Sequence, residues 1–265
     1  ERLINLYTGS TLAGAYVSIG AQYTETNALS NSEIRFGNEV LNNAPSFLAF
    51  ATGTTSSPTE RFRISSDGSL STPTAGTSNV RFGVNAGNSI VSGGNYNTVV
   101  GDEAGTAITT GERNSAFGTF ALATNISGTN NVANGFQSLY SNTGNYNTAV
   151  GSLSLQANTT ASNNTAVGYQ AGASNLIGAD NTYIGFGSGY SGTGYYNTAV
   201  GKYSLYNSTG SYNVAMGTSA LQANTTASYN TAVGYEALKD NTSGQKNTAV
   251  GRLAGANITT ASDNT

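Results

Sequence analysis

Cysteine, histidine and tryptophan are missing from this chain, and proline occurs three times. Without Cys and His there can be no disulfide, no Cys–His or Ser–His–Asp nucleophile, and no zinc site of the usual ligands. Stability therefore has to come from packing and backbone ladders, and a Cys-free chain fits either redox compartment. Charge is scarce as well, at 9% of residues against about 25% in an ordinary domain. The net charge of -3 and the lack of any basic cluster argue against nucleic acid as a partner. No apolar run approaches the roughly 18 residues of a membrane span, so insertion into a bilayer is not expected. The chain opens on Glu1-Arg2-Leu3, with neither an initiator Met nor a signal peptide, and reads as a piece of something longer.

What fills the space is Gly, Asn, Thr and Ser. Such a composition suits disorder when it is aperiodic. Here it recurs at a fixed interval and is interleaved with Val, Ile, Leu and Tyr, which favours a solenoid. The unit is Asn-Thr-Ala-Val-Gly with close variants, and its Asn stands at Asn97, Asn114, Asn131, Asn147, Asn164, Asn181, Asn197, Asn213, Asn230, Asn247 and Asn264, in steps of 16 or 17 residues. The closing Gly follows at Gly101, Gly118, Gly135, Gly151, Gly168, Gly185, Gly201, Gly217, Gly234 and Gly251, and Asn79 to Gly83 is an earlier copy. A weaker unit follows each Gly, as in Phe120-Ala121-Leu122, Gln137-Ser138-Leu139, Gln170-Ala171-Gly172 and Glu236-Ala237-Leu238. A turn-rich stretch then leads back to Asn.

A period this short excludes helix pairs, and Gly, Asn and Thr disfavour helix. Thr-Ala-Val bounded by Asn and Gly reads as a short strand. Two short strands and two turns per coil are expected, each coil hydrogen-bonded to the next, so that ten coils extend roughly 48 Å at about 4.8 Å per coil. In such a stack each residue lies above its own copy. The Asn column then forms a structural ladder along the axis, and the Gly column supplies positive φ or close backbone approach at a corner. Strand alternation sends the Val and Ala positions to opposite sides. The larger one (Val100, Val150, Val167, Ile184, Val200, Met216, Val233, Val250) is assigned to the core, and the small Ala to a closely packed neighbour. With two or three large apolar groups per coil, one chain makes a thin core, and packing copies side by side is the physical remedy.

Residues 1–96 hold about half of the charges. Ser32 to Gly37, Ser46 to Ala51 and Glu60 to Ile64 alternate polar and apolar residues, Asp67-Gly68 is a turn signal, and Pro45, Pro58 and Pro73 sit between these segments. This is the pattern of a small antiparallel β region followed by a linker near Ser71 to Ser78. Ala15 to Gly20 reads as an isolated strand of the repeat type.

Two segments carry a resemblance. Thr59 to Leu70 (TERFRISSDGSL) resembles the "ERMRI…G" segment of bacteriophage tail-fibre proteins. The Asn-Thr-Ala-Val-Gly array, over about residues 79–265, resembles repeats of such fibres and of the heads of YadA-like trimeric autotransporter adhesins. The resemblance implies a parallel β-roll with three chains side by side, in an extracellular fibre that serves attachment. Its implied partners are two further copies of the chain (a homotrimer), other fibre or baseplate proteins, and a host-surface glycan or protein. Its implied location is the virion tail fibre, or, in the adhesin case, the bacterial cell surface or extracellular space.

Among candidate contact residues, Tyr96, Tyr146, Tyr196, Tyr212 and Tyr229 precede the motif Asn. Amphipathic rings at a corner can stack on sugar rings of a host surface; stacking between neighbouring coils is the competing account. Thr follows Asn in most copies, and a Thr array on one face is a way to bind ice. Such arrays pair their Thr in every coil, which this chain does not, and strand preference accounts for the column. The acidic residues Asp102, Glu103, Glu112, Asp180, Glu236, Asp240 and Asp263 show no repeated pairing of the kind glycoside hydrolysis needs, so neither catalysis nor a cofactor is expected. Asn-x-Ser/Thr sequons at Asn125, Asn158, Asn163, Asn207, Asn224, Asn241 and Asn257 arise by chance in this composition.

The expected fold is therefore all-β: a parallel β-roll or β-solenoid of 16–17-residue coils over 79–265, trimeric, preceded by an antiparallel region over 1–78. The expected function is a structural segment of a phage tail fibre that attaches to host cells through a repetitive, multivalent surface. The alternative is a bacterial adhesin or extracellular filament, and a polysaccharide-cleaving spike is a third reading.

Overall fold

The computed structural model describes residues 5–9, 16–25, 28–38, 46–53, 59–64, 70–71, 76 and 78–265. These are all-β, without a helix, and the chain divides into two compact units, Glu1–Thr74 and Ala75–Thr265.

The first unit is a six-stranded antiparallel meander of β1 (Asn5–Gly9), β2 (Tyr16–Glu25), β3 (Ala28–Asn38), β4 (Ser46–Gly53), β5 (Thr59–Ile64) and β6 (Leu70–Ser71). Its register places Leu6, Ile19, Ile34, Phe50 and Phe62 in one row across five strands. A bulge lies between Phe50 and Ala51. Phe50 and Phe62 meet with ring centroids 6.1 Å apart, and Arg63 closes on Glu60 at 2.6 Å. The segment around Ala15 to Gly20 is not a repeat-type strand. It begins β2, which pairs with β1 and β3, because its polar–apolar alternation finds antiparallel partners on both sides. The expected turn at Asp67-Gly68, the three prolines and most of the expected linker lie outside the described residues.

The second unit is a parallel β-solenoid. Its eleven three-residue strands, from Val80–Phe82 to Thr248–Val250, form one in-register sheet in which every residue pairs with its own copy one coil away. Each coil carries one such strand rather than two. The other side is a run of turns, because it holds left-handed residues at alternate positions: Phe120 (φ 57°) and Leu122 (φ 55°), Gln137 and Leu139, Leu153 and Leu155, Tyr203 and Leu205. This run still hydrogen-bonds from coil to coil, for example Leu122 N–H to Ser138 O at 3.0 Å and Thr124 N–H to Tyr140 O at 3.1 Å. Backbone pairing thus continues around the coil beyond the regular strand, which gives interior backbone N–H and C=O groups their partners.

The core lies between the strand and this turn side. From the strand come Val99, Ala116, Ala133, Ala149, Ala166, Tyr183, Ala199, Ala215 and Ala232, all fully buried. From the turn side come Leu122, Leu139, Leu155, Leu205, Leu221 and Leu238, also fully buried. A left-handed Leu costs about 1–2 kcal/mol, and its full burial returns roughly 1.5–3 kcal/mol.

The assignment of Val100, Val150, Val167, Ile184, Val200, Met216, Val233 and Val250 to the core is reversed by this packing. All eight lie outside it, at 36% exposure for Val150 and 44% for Met216. The reason is volume. The space across a coil holds one Leu facing one Ala, so the smaller strand residue turns inward.

Candidate surface site

Two polar columns fix the coil before any surface can be built on it. Asn97, Asn114, Asn131, Asn147, Asn164, Asn181, Asn197, Asn213, Asn230 and Asn247 are buried. Each uses its side-chain oxygen to accept the backbone N–H of the next Asn, as from Asn164 to Asn147 at 3.0 Å and from Asn181 to Asn164 at 3.0 Å. Its amide donates to a carbonyl at the end of its own coil, as from Asn164 to Gly178 at 2.8 Å. The ladder is therefore mainly backbone to side chain, and direct amide-to-amide bonds appear at a few steps, such as Asn114 to Asn97 at 3.1 Å. The Gly column beside it has φ near +130°, as at Gly101 (φ 133°), and a Cβ on Gly101 would stand 2.6 Å from the carbonyl carbon of Gly118. No side chain fits that approach.

A second Asn column adds to the expected one. Asn125, Asn142, Asn158, Asn175, Asn224 and Asn241 are buried and donate to the carbonyl of a following Gly or Ala, as from Asn175 to Gly178 at 2.8 Å. In the sequence, four of these stand out only as sequons. Their recurrence eleven residues after the first Asn is the signal that points to a column.

The coils also exchange volume with one another. Where the turn side has Gly105 instead of Leu, Ile108 takes the place of the second-column Asn, and a Cβ on Gly105 would stand 2.7 Å from it. Gly87 with Ile90 and Gly255 with Ile258 repeat the exchange. At Tyr183 the inward residue is a fully buried Tyr, and Gly172, Gly189 and Gly192 clear space around its ring and hydroxyl. Burial pushes the Tyr183 phenol well above its ordinary value, with the Asn197 side chain acting the other way. Its hydroxyl has no partner at hydrogen-bond geometry among the protein's own groups.

Three sets of side chains remain outside. On the strand face, the Thr column and the Val column run the length of the array. At the corner, Tyr96, Tyr146, Tyr196, Tyr212 and Tyr229 are all exposed. Tyr196, Tyr212 and Tyr229 stack on one another at 5.1 and 5.0 Å with rings 14° and 2° apart, and Arg113 lies over Tyr96 at 5.5 Å. Inter-coil stacking and exposure of the ring faces at the ends of the stack coexist. On the turn face, Tyr169, Phe186, Lys202, Tyr203, Tyr206 and Tyr190 form a cluster that sequence reasoning missed, because its members fall at three different positions of the repeat.

Four acidic side chains of the array are engaged locally. Glu103 accepts from Asn85, Glu112 from Asn95 and Arg113, and Asp180 from Asn163. The neighbouring Tyr235 hydroxyl holds the Glu236 carboxyl below its ordinary range, with Lys239 at 3.3 Å adding to it, and Glu236 in turn raises the Tyr235 phenol. Among the described residues no group of three His, Cys, Asp or Glu could hold a metal ion, and no helix is long and apolar enough to cross a membrane.

No protein-family model, curated protein or solved structure matches this chain. The class of the second unit rests on its geometry: a parallel β-solenoid with coils of about 17 residues.

Proposed function

We propose that the chain is a structural segment of an attachment fibre of the phage tail-fibre kind, and that it works as a homotrimer whose repeated outer surface meets the host cell. The observation that carries this reading is the outward Val column. Phe82, Phe117, Val150, Val167, Ile184 and Met216 are all exposed on one sheet face, with Asn134 the polar residue in the column between Phe117 and Val150. Monomeric proteins rarely leave so long an apolar stripe uncovered. Each coil presents the same face at the same height, so parallel copies of the chain can cover it coil by coil.

In this arrangement the ladders give the fibre its stiffness, and three copies triple each weak contact, which raises avidity through effective concentration. Light scattering after size-exclusion chromatography tests it. A stable species at about three times 27.0 kDa is expected; a folded monomer overturns the trimer and the fibre reading with it. A bacterial adhesin filament would share the same mass, and antibody detection in purified virions rather than in outer-membrane fractions separates the two.

A further inference from the structure

The turn face changes character over three successive coils. Five rings run on without a break: Tyr169 to Phe186 at 5.4 Å (28° between planes), Phe186 to Tyr203 at 5.2 Å (80°), Tyr203 to Tyr206 at 5.2 Å (87°) and Tyr206 to Tyr190 at 5.0 Å (13°). The core does not require them. The same positions hold Ser152, Leu153 and Gln156 in one flanking coil and Thr218, Ser219 and Gln222 in another. Tyr169 and Phe186 are 44% and 42% exposed.

Lys202 stands among these rings, its Nζ 5.1 Å from the Tyr203 centroid and 5.8 Å from that of Phe186. It is the only cation between Arg113 and Lys239 in the sequence, and Asp180 is the only acid between Glu112 and Glu236. Asp180 is engaged by the Asn163 amide at 3.1 Å. Lys202 has no carboxylate partner, and ring faces hold its charge at the surface. A chain this poor in charge has set its one local cation inside its densest aromatic patch.

We propose that this patch binds an acidic polysaccharide, of uronic or sialic acid type, with sugar rings on Tyr169 and Phe186 and a sugar carboxylate on Lys202. Successive rings of this column step along the axis by one coil, about 4.8 Å, and a pyranose unit in an extended polysaccharide advances by a similar distance. Because Tyr169 and Phe186 stack on each other at 5.4 Å, sugar C–H groups meet the outward rims of successive rings, while the hydroxyls of Tyr190, Tyr203 and Tyr206 offer hydrogen bonds to sugar hydroxyls. A nucleic acid would need many cations along its backbone, and one Lys does not supply them. This deepens the attachment reading and rests on it for its biological setting.

Affinity electrophoresis of the whole chain through gels containing alginate, polygalacturonate or polysialate tests it, with dextran and polyglutamate gels alongside. With a net charge of -3 the chain has no general attraction to polyanions. Retardation by at least one acidic polysaccharide, and by neither dextran nor polyglutamate, is expected. Lys202→Ala is expected to raise Kd about fivefold, Phe186→Ala about three- to tenfold, and Ile126→Ala, exposed but outside both aromatic sets, to change nothing. Circular dichroism checks that each variant folds. No retardation by any of the three acidic polymers, equal retardation by dextran or polyglutamate, or indifference to both patch substitutions overturns the proposal. A trimer that is not retarded overturns this proposal alone; a retarded monomer overturns the fibre reading alone.

Discussion

The coil that begins at Asn213 and the coil that begins at Asn181 solve the same packing problem in different ways. The first is regular, with Ala215, Leu221 and Asn224 all fully buried. The second replaces Ala with Tyr183 and pairs it with Gly189 and Gly192, while Gly172 of the coil before also gives way. The difference teaches that volume is conserved across neighbouring coils, not residue by residue. A large side chain is admitted wherever two or three left-handed or small positions can release their Cβ atoms together.

That comparison can be broken most forcefully at its centre. Tyr183→Ala leaves a cavity lined by glycines and is expected to cost about 3–5 kcal/mol, read from urea unfolding together with hydrogen exchange of the Thr182–Ile184 amides. Adding Gly189→Leu to that variant returns the coil to the regular pattern and should recover a large part of the loss; no recovery would mean that the exchange of volume is not local. In a regular coil the weak point is polar instead. Asn164→Ala orphans the buried N–H of Asn181 and is expected to cost about 1–3 kcal/mol by the same measurements.

The two sides of one strand give a smaller and more pointed contrast. Ala166→Leu forces bulk against a filled core and should cost about 1–3 kcal/mol. Val167→Thr, one residue along and facing out, should change the unfolding of the isolated chain by less than about 0.5 kcal/mol. Equal effects at the two positions would contradict the inward and outward assignment. Tyr183 also sets a pH dependence. Its folded-state phenol is raised above the ordinary 10.0, so the unfolded chain loses this proton first. Stability from this group is intact below about pH 10 and falls above it, by up to about 1.4 kcal/mol per pH unit. Tyr183→Phe should remove that part of the decline in alkaline thermal melts.

Much of the roll was legible in the residues. The spacing of Asn97, Asn114 and Asn131 gave the coil length, and Thr-Ala-Val between Asn and Gly gave the strand. Alternation told that Ala149 and Val150 face opposite ways, but not which faces in. The missing fact lay in the weaker unit: Leu122 and Leu139 enter from the opposite side and leave room only for Ala. That was hidden because a left-handed Leu is rare enough that a strand is the natural reading of its neighbourhood. The corner tyrosines stood out because each precedes an Asn. The turn-face rings did not, because Tyr169, Tyr203 and Tyr206 share no common place in the repeat.

The matching of each coil to the next carries one further consequence. Thr148 N–H meets Asn164 O at 2.8 Å in the same way that Thr165 N–H meets Asn181 O at 2.8 Å, so the upper rim of any coil is a template for the lower rim of any other. Removing one regular coil, whether of 16 or 17 residues, leaves two backbone rims that close without a seam, whereas the coils around Tyr183 have to be removed together with Gly172. Length is then inherited as a whole number of increments, and recombination between copies can shorten or lengthen the rod like a ruler cut at its graduations, with every remaining face in register.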